Sequence, residues 1–175
     1  MQKHRSLLAY TQHISMKAPR IETIASKLIV GKNMRMSLAQ NRTRVLWQSF
    51  MPERNRISHT VGTELYSIQL YDRLYFQQFD VSSEFIKWAG VEVTQVQEDI
   101  NGMDVLTIPA GLYAVFEHKG GPATAPQTFQ YIFTKWLPVS GFHLDHRPHF
   151  EVLEPLYNNN DPESLEDIFI PIVRN

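Results

Sequence analysis

The stretch NRTRVLWQSFMP (residues 41–52) sets Leu46, Trp47, Phe50 and Met51 at helical spacing and stops at Pro52. Apolar residues recurring at i, i+3 or i+4, and i+7 line one face of an α-helix, and a proline cannot continue the hydrogen-bond ladder. The pattern returns in TFQYIFTKWLP (residues 128–138), where Ile132, Phe133, Trp136, Leu137 and Pro138 lie 86 residues after Leu46, Trp47, Phe50, Met51 and Pro52. Phe129 extends the second stripe by one turn. Around both helices the flanks repeat too. The β-rich segments KLIVGKNMRMSL (27–38) and GLYAVFEHKG (111–120) precede them. ELYSIQLYD (64–72) and FIKWAGVEV (85–93) follow the first; HFEVLE (149–154) and EDIFIPIV (166–173) follow the second. Alternating β-branched and aromatic residues mark these as strands. The expectation is an α+β fold of tandem βαββ repeats with a pseudo-twofold, its helices on one sheet face and a ligand groove on the other. Residues 20–175 form the domain in this reading and residues 1–19 an extension, with polar surface connections at 52–63 and 155–164.

The whole chain of 175 residues is long enough for one domain with a real core. It contains no cysteine, which excludes disulfide scaffolds, thiolate metal sites and cysteine nucleophiles. A formal net charge of -1 gives no whole-chain attraction to nucleic acid or acidic lipid. The N-terminal run LLAY is too short for a secretory signal, and no apolar run reaches bilayer length. A cytoplasmic location is expected, with neither membrane nor direct nucleic-acid binding.

Strand alternation sorts the side chains into two faces. Ala89, Val91 and Val93 read as a core row against the helices, leaving Trp88, Gly90 and Glu92 opposite. By the same reasoning Tyr66, Ile68 and Leu70 are core and Ser67, Gln69 and Tyr71 opposite. Phe150 and Val152 are core, while Glu151 and Leu153 turn away; Ile168, Ile170 and Ile172 are core, while Asp167 and Phe169 turn away. The face without helices then gathers Tyr71, Trp88, Leu153 and Phe169 around one carboxylate, Glu151. Aromatic walls about an acid suit a flat, apolar, cationic ligand through ring contact, cation–π attraction and charge pairing. The same residues equally describe a second core layer or a dimer seam with a solvated Glu151.

Other chemistries are weaker. His143, His146 and His149 with Asp145 have metal-ligand residue types, but Arg147 and Pro148 interrupt them, and His149 is expected on the side away from Glu151. No metal and no cofactor is expected. GLYAVFEHKGG lacks the order of a phosphate loop, Glu117 and His118 point to opposite faces as strand neighbours, and no nucleophile elbow is present. The basic RMSLAQNRTR (residues 35–44) reads as a solvated face.

GLYAVFEHKG, FQYIFTKWLPVSGFHLDHRPHFEVLE and EDIFIPI, in that order, resemble the GyrI-like small-molecule-binding domain, also found as the effector-binding module at the C-terminus of many AraC-type transcription regulators. MRMSLAQNRTRVLWQSFMPERNRI and ELYSIQLYD are similar to the corresponding first half of stand-alone members, so the resemblance runs from about residue 20 to 173. It implies a groove for bulky, cationic, aromatic-rich compounds, with Glu151 as the charge partner. Leu153 stands where the family often has tyrosine, and Asp167 matches an acid that related regulators carry in the last strand. Trp88, Tyr71 and Phe169, with Tyr113 and Trp136, would supply the walls. Only about 19 residues precede the matching region, too few for a helix-turn-helix, so a stand-alone sensor or sequestering protein is expected. The resemblance also implies two alternatives: hydrolysis of reactive small molecules in the same pocket with Glu151 as base, or modulation of a topoisomerase or regulator partner. It leaves monomer and dimer open.

Overall fold

The computed structural model describes residues 17–154, 157–158 and 160–174. In chain order the elements are β1 (Arg20–Ile24), β2 (Lys27–Ser37), α1 (Thr43–Phe50), β3 (Leu65–Leu70), β4 (Glu84–Val93), β5 (Asp104–Ile108), β6 (Gly111–Lys119), α2 (Ala125–Tyr131), β7 (Phe142–Leu144), β8 (His149–Leu153) and β9 (Leu165–Arg174). All ladders are antiparallel, and the strands run β1-β6-β9-β8-β3-β4-β2-β5, with β7 added to the far end of β9. The result is an α+β fold. The six strands expected from the sequence are present; β1, β5 and β7 are additional.

The strand order reads the same from either end. β2-β4-β3 mirrors β6-β9-β8, and β3 meets β8 at the centre. Each half also lends its leading strand to the other, since β1 pairs with β6 and β5 pairs with β2. Two residues, Ala25 and Ser26, join β1 to β2, and two more, Pro109 and Ala110, join β5 to β6. Links of that length span at most roughly 11 Å. They bind opposite ends of the sheet together, so the sheet rolls up on itself.

The concave face is filled. Ile29 and Ile108 from one end of the sheet and Tyr113 and Val115 from the other join Tyr66, Ile68, Trp88, Phe150 and Phe169 in one buried apolar cluster. Phe150 stacks on Phe169 at 4.4 Å between ring centres, and Tyr113 packs edge-on against Phe150 at 5.4 Å. Gly31 and Gly90 face each other across β2 and β4, and a Cβ on Gly31 would overlap the backbone of Ala89 and Gly90. Backbone, unlike a side-chain tip, cannot move aside. Gly31→Ala is therefore expected to lower unfolding free energy by about 1–3 kcal/mol in a urea titration. A change under about 0.5 kcal/mol, the ordinary surface-substitution range, would show that β2 and β4 do not approach this closely.

The convex face carries both helices. α1 covers Val30, Met36, Phe85, Ala89 and Val91 with Leu46 and Phe50, and α2 and its continuation cover Ala114, Phe116, Ile168, Ile170 and Ile172 with Ile132. The second helix is not the straight amphipathic rod expected. It widens to a π-helical turn over Ile132–Trp136, and Leu137–Val139 form a final tight turn. Pro138 has no N–H to give the Thr134 carbonyl, and the Thr134 hydroxyl bonds back to Gln130 O at 2.7 Å.

Rows of paired residues correct half of the expected face assignments. Ala89 pairs with Ser67, Ser67 with Glu151, Glu151 with Ile168 and Ile168 with Phe116, so all five share the helix-bearing face. Tyr66, Ile68, Leu70, Phe150 and Val152 belong to the concave cluster or pack against it, instead of meeting the helices. Ser67, Gln69, Tyr71, Glu151 and Leu153 turn toward the helix side. His149, two residues from Glu151 in β8, shares its face instead of opposing it. The cause is that this sheet is buried on both faces, so apolar alternation marks the drier face and not the helical one.

Candidate functional site

The two helices stand over β2/β4 and β6/β9, and among the described residues no helix lies over β3 and β8 between them. That strip separates the two helix-side cores, and its floor is polar. Ser67, Gln69, Lys87, His149, Glu151 and Glu166 lie there, all buried. Glu151 is at the centre. Gln69 Nε2 donates to its Oε1 at 2.7 Å, and Lys87 Nζ lies 3.3 Å from its Oε2. Lys87 and Glu151 form an ion pair with side chains only 9% and 11% exposed. Among the described residues, Glu151 is the one hydrogen-bond partner of Lys87.

Beside this pair stands Glu166, one strand over in β9. Burial pushes its carboxyl up to about 8; the charge of Glu151 adds to the rise, while Lys87 and a hydrogen bond from Tyr157 oppose it. Glu166 therefore holds its proton near neutral pH. His118 sits across from it in β6, Nε2 3.9 Å from Glu166 Oε1, and its Nδ1 lies 2.8 Å from Thr128 Oγ1 in α2. Burial lowers the His118 pKa. Its ring thus fastens α2 to the polar floor.

One end of the strip is aromatic. Phe76, in the β3–β4 connection, stacks on His149 (5.3 Å) and on Phe133 of the π turn (4.8 Å). Tyr71 meets the His149 ring edge-on at 5.0 Å. Complete burial drives the His149 pKa down to about 3, so it serves as a neutral ring. Against this cluster opens a cavity of about 280 Å³, walled by Tyr71, Phe76, Phe133, Leu137, Leu144 and His149 and rimmed by Asp72, Arg73, Gln77, Asp145, His146 and Arg147. Arg147 holds the rim in place by pairing with Asp145 and donating to Leu112 O (2.7 Å) and Ile172 O (3.1 Å).

The residues expected to share one groove are thus divided between two faces. Glu151, Leu153 and Tyr71 lie on the helix side. Trp88, Tyr113 and Phe169 lie in the concave core, where the Trp88 indole N–H has no partner among the described residues. Trp136 is packed edge-on against Phe116 and stacked on Phe142. Asp167 is a half-buried partner of Arg20, at 2.8 Å. Among the described residues no three His, Asp or Glu side chains converge as metal ligands. Sequence reasoning passed over Lys87, Glu166, Phe76 and Phe133. Two of them carried a signal: Lys87 interrupts the apolar row 85/89/91/93 and Glu166 heads the row 168/170/172, where an ionisable group needs a partner.

A family model for the GyrI-like small molecule binding domain matches residues 17–173. The chain belongs to the GyrI-like family. It is 30% identical over 129 residues to the transcriptional regulator BrlR of Pseudomonas aeruginosa, covering 73% of this chain and 45% of that protein. The GyrI-like chain thus spans about half the length of that relative. Among solved structures it is similar to SAV2435 bound to tetraphenylphosphonium, with a TM-score of 0.69 and 16% identity over 90% of this chain and 94% of that one. It is also similar to the EcmrR C-terminal domain, with a TM-score of 0.67 and 14% identity over 93% and 100% of the two chains. At these identities the likeness shows the GyrI-like fold. No described helix is long and apolar enough to cross a membrane.

Proposed function

We propose that this GyrI-like chain binds an aromatic-rich amphipathic compound in the strip between its helices, in a sensing or sequestering role linked to transcription regulation. One observation carries the reading: an aromatic-walled cavity opens on the sheet face that carries the buried carboxylate Glu151, and His149, two residues from Glu151 in β8, stands in its wall. The ligand's rings would replace ring–ring contacts of Tyr71, Phe76 and Phe133, and its polar end would reach Glu151. BrlR being a regulator supports the regulatory role, and SAV2435 holding tetraphenylphosphonium supports a ligand of this bulk.

The test is a titration with Nile red, a neutral dye that brightens in apolar sites. Phe133→Ala and Tyr71→Ala are each expected to weaken binding about 2- to 13-fold, the scale of a lost aromatic contact. Absence of binding, or the same affinity after both substitutions, ends this reading. A second reading is favoured by Glu166, which holds a proton beside Glu151 and so offers an acid next to a base, the pairing hydrolytic chemistry needs. Turnover of a reactive electrophile that Glu166→Gln abolishes while Nile red still binds would establish it.

A further inference from the structure

We propose that Lys87 is a built-in cation for this site, and that the ligand is uncharged or zwitterionic at its polar end, not a permanent cation. The inference rests on the reading that a ligand occupies the strip. It starts from the charges that face Glu151. From β4 comes Lys87, paired with it; from β3 comes Gln69, neutral and donating to it. On β9 stands Glu166, which keeps its proton near pH 7; from the β8–β9 connection comes the Tyr157 hydroxyl, and on β6 stands His118, neutral through burial. His149 of β8 is neutral as well. On the α1 side, Lys32 is already paired with Glu53 and donates to Ser49 O at 3.0 Å. Among the described residues the floor of the strip therefore holds one positive and one negative charge, and they meet each other; at the cavity rim Asp145 is likewise paired with Arg147, and Asp72 stands next to Arg73.

A permanent cation entering this floor would find Glu151 already compensated. It would have to expel an ammonium that is itself nine-tenths buried, or draw the proton from Glu166. Either route costs affinity, because a desolvated charge without an opposite partner is strongly disfavoured. Meanwhile the floor offers both kinds of hydrogen bond. An ammonium has three N–H groups, and Lys87 uses one on Glu151. The Gln69 carbonyl oxygen accepts nothing among the described residues. A polar end that both accepts and donates, such as an amide, a lactam or an amino-acid-like zwitterion, satisfies both without disturbing the pair.

The experiment uses the whole chain and two probes, tetraphenylphosphonium as permanent cation and Nile red as a parallel report that each variant admits a ligand. The wild type is expected to bind tetraphenylphosphonium weakly at pH 7. Lys87→Met, close in length and uncharged, should bind it at least ten-fold more tightly, and Lys87→Met/Glu151→Gln should lose that gain. A wild type that already binds the cation as tightly as Lys87→Met overturns the proposal. So does a Lys87→Met protein that binds Nile red but gains nothing for the cation. Nile red binding to no folded variant would instead remove the strip as a binding site, and this inference with it. If Lys87→Met fails to fold, the wild type answers alone. Raising the pH from 7 to 9 ionises Glu166, adds the missing negative charge and should tighten cation binding several-fold; Glu166→Gln should abolish that pH response. A pH-independent cation affinity in the wild type overturns the proposal by this second route.

Discussion

Glu151→Gln is expected to lower the unfolding free energy by about 3 kcal/mol, the scale at which removing one partner strands a buried charge. Lys87 is the charge stranded. Its Nζ has Glu151 as its hydrogen-bond partner, and the helices and connections around the strip keep water from replacing it. A surface pair broken in the same way costs at most about 1 kcal/mol, so the magnitude decides whether the pair is desolvated. Lys87→Met in the same chain should recover most of the loss, because replacing both members of a buried pair by neutral groups is often close to neutral. The measurement is a double-mutant cycle in urea. A Glu151→Gln protein within about 0.5 kcal/mol of the wild type, the range of surface substitutions, would mean that solvent reaches Lys87 and that the pair is not buried.

The second large effect concerns pH. His149 titrates near 3 in the folded chain against an ordinary 6.5, so as pH falls through that range the unfolded chain takes up a proton that the folded chain refuses. Stability therefore drops on the acid side. Glu166 titrates near 8 against an ordinary 4.5, so as pH rises through that range the unfolded chain loses a proton that the folded chain keeps. Stability present below the ordinary value is lost as pH climbs through 8. Between pH 4.5 and 6.5 the two slopes oppose each other and cancel, one proton against one. The expected profile is a plateau there with a fall of about 2 kcal/mol on each side, at 1.36 kcal/mol per unit. His118, lowered by burial, tilts that plateau so that stability falls toward its acid end, and Asp145, whose carboxyl Arg147 holds below the usual range against the opposing effect of burial, adds to the acid limb. Glu166→Gln should flatten the alkaline limb and His149→Gln the acid one, read from urea midpoints at pH 3.5, 5.5 and 8.5. An alkaline limb that survives Glu166→Gln would assign that titration elsewhere.

How much of this was legible in the sequence depended on whether one side chain or two determined the answer. The helices at Leu46–Met51 and Phe129–Leu137 and the six long strands show in periodicity, because each satisfies its own pattern. β1, β5 and β7 do not show as clearly; RIETI and DVLTI alternate, but five residues at a sheet edge give a weak signal. The face assignment failed for a different reason. Ile68 and Phe150 are as apolar as Ala89 and Ile170, and alternation cannot say which of two dry faces holds a helix. Only the links at Ala25–Ser26 and Pro109–Ala110, which roll the sheet closed, reveal that the concave side is a core. Motif position singled out Glu151, which the structure places in the buried polar floor. Its company was not legible: Lys87 is 64 residues away in sequence, and a pairing that distant appears only in the register of β4, β3 and β8.

The exchange of leading strands has a consequence for how the chain responds to a ligand. Because β1 completes the half that begins at β5, and β5 completes the half that begins at β1, neither half has a finished sheet without the other. The two cannot melt one after the other as independent units; they form a single cooperative block. The strip over Glu151 lies along the β3–β8 seam, the other place where the halves join. A molecule bound there grips both halves of that block, so its binding energy is passed on to the whole fold, and a shift in melting temperature becomes a direct gauge of occupancy.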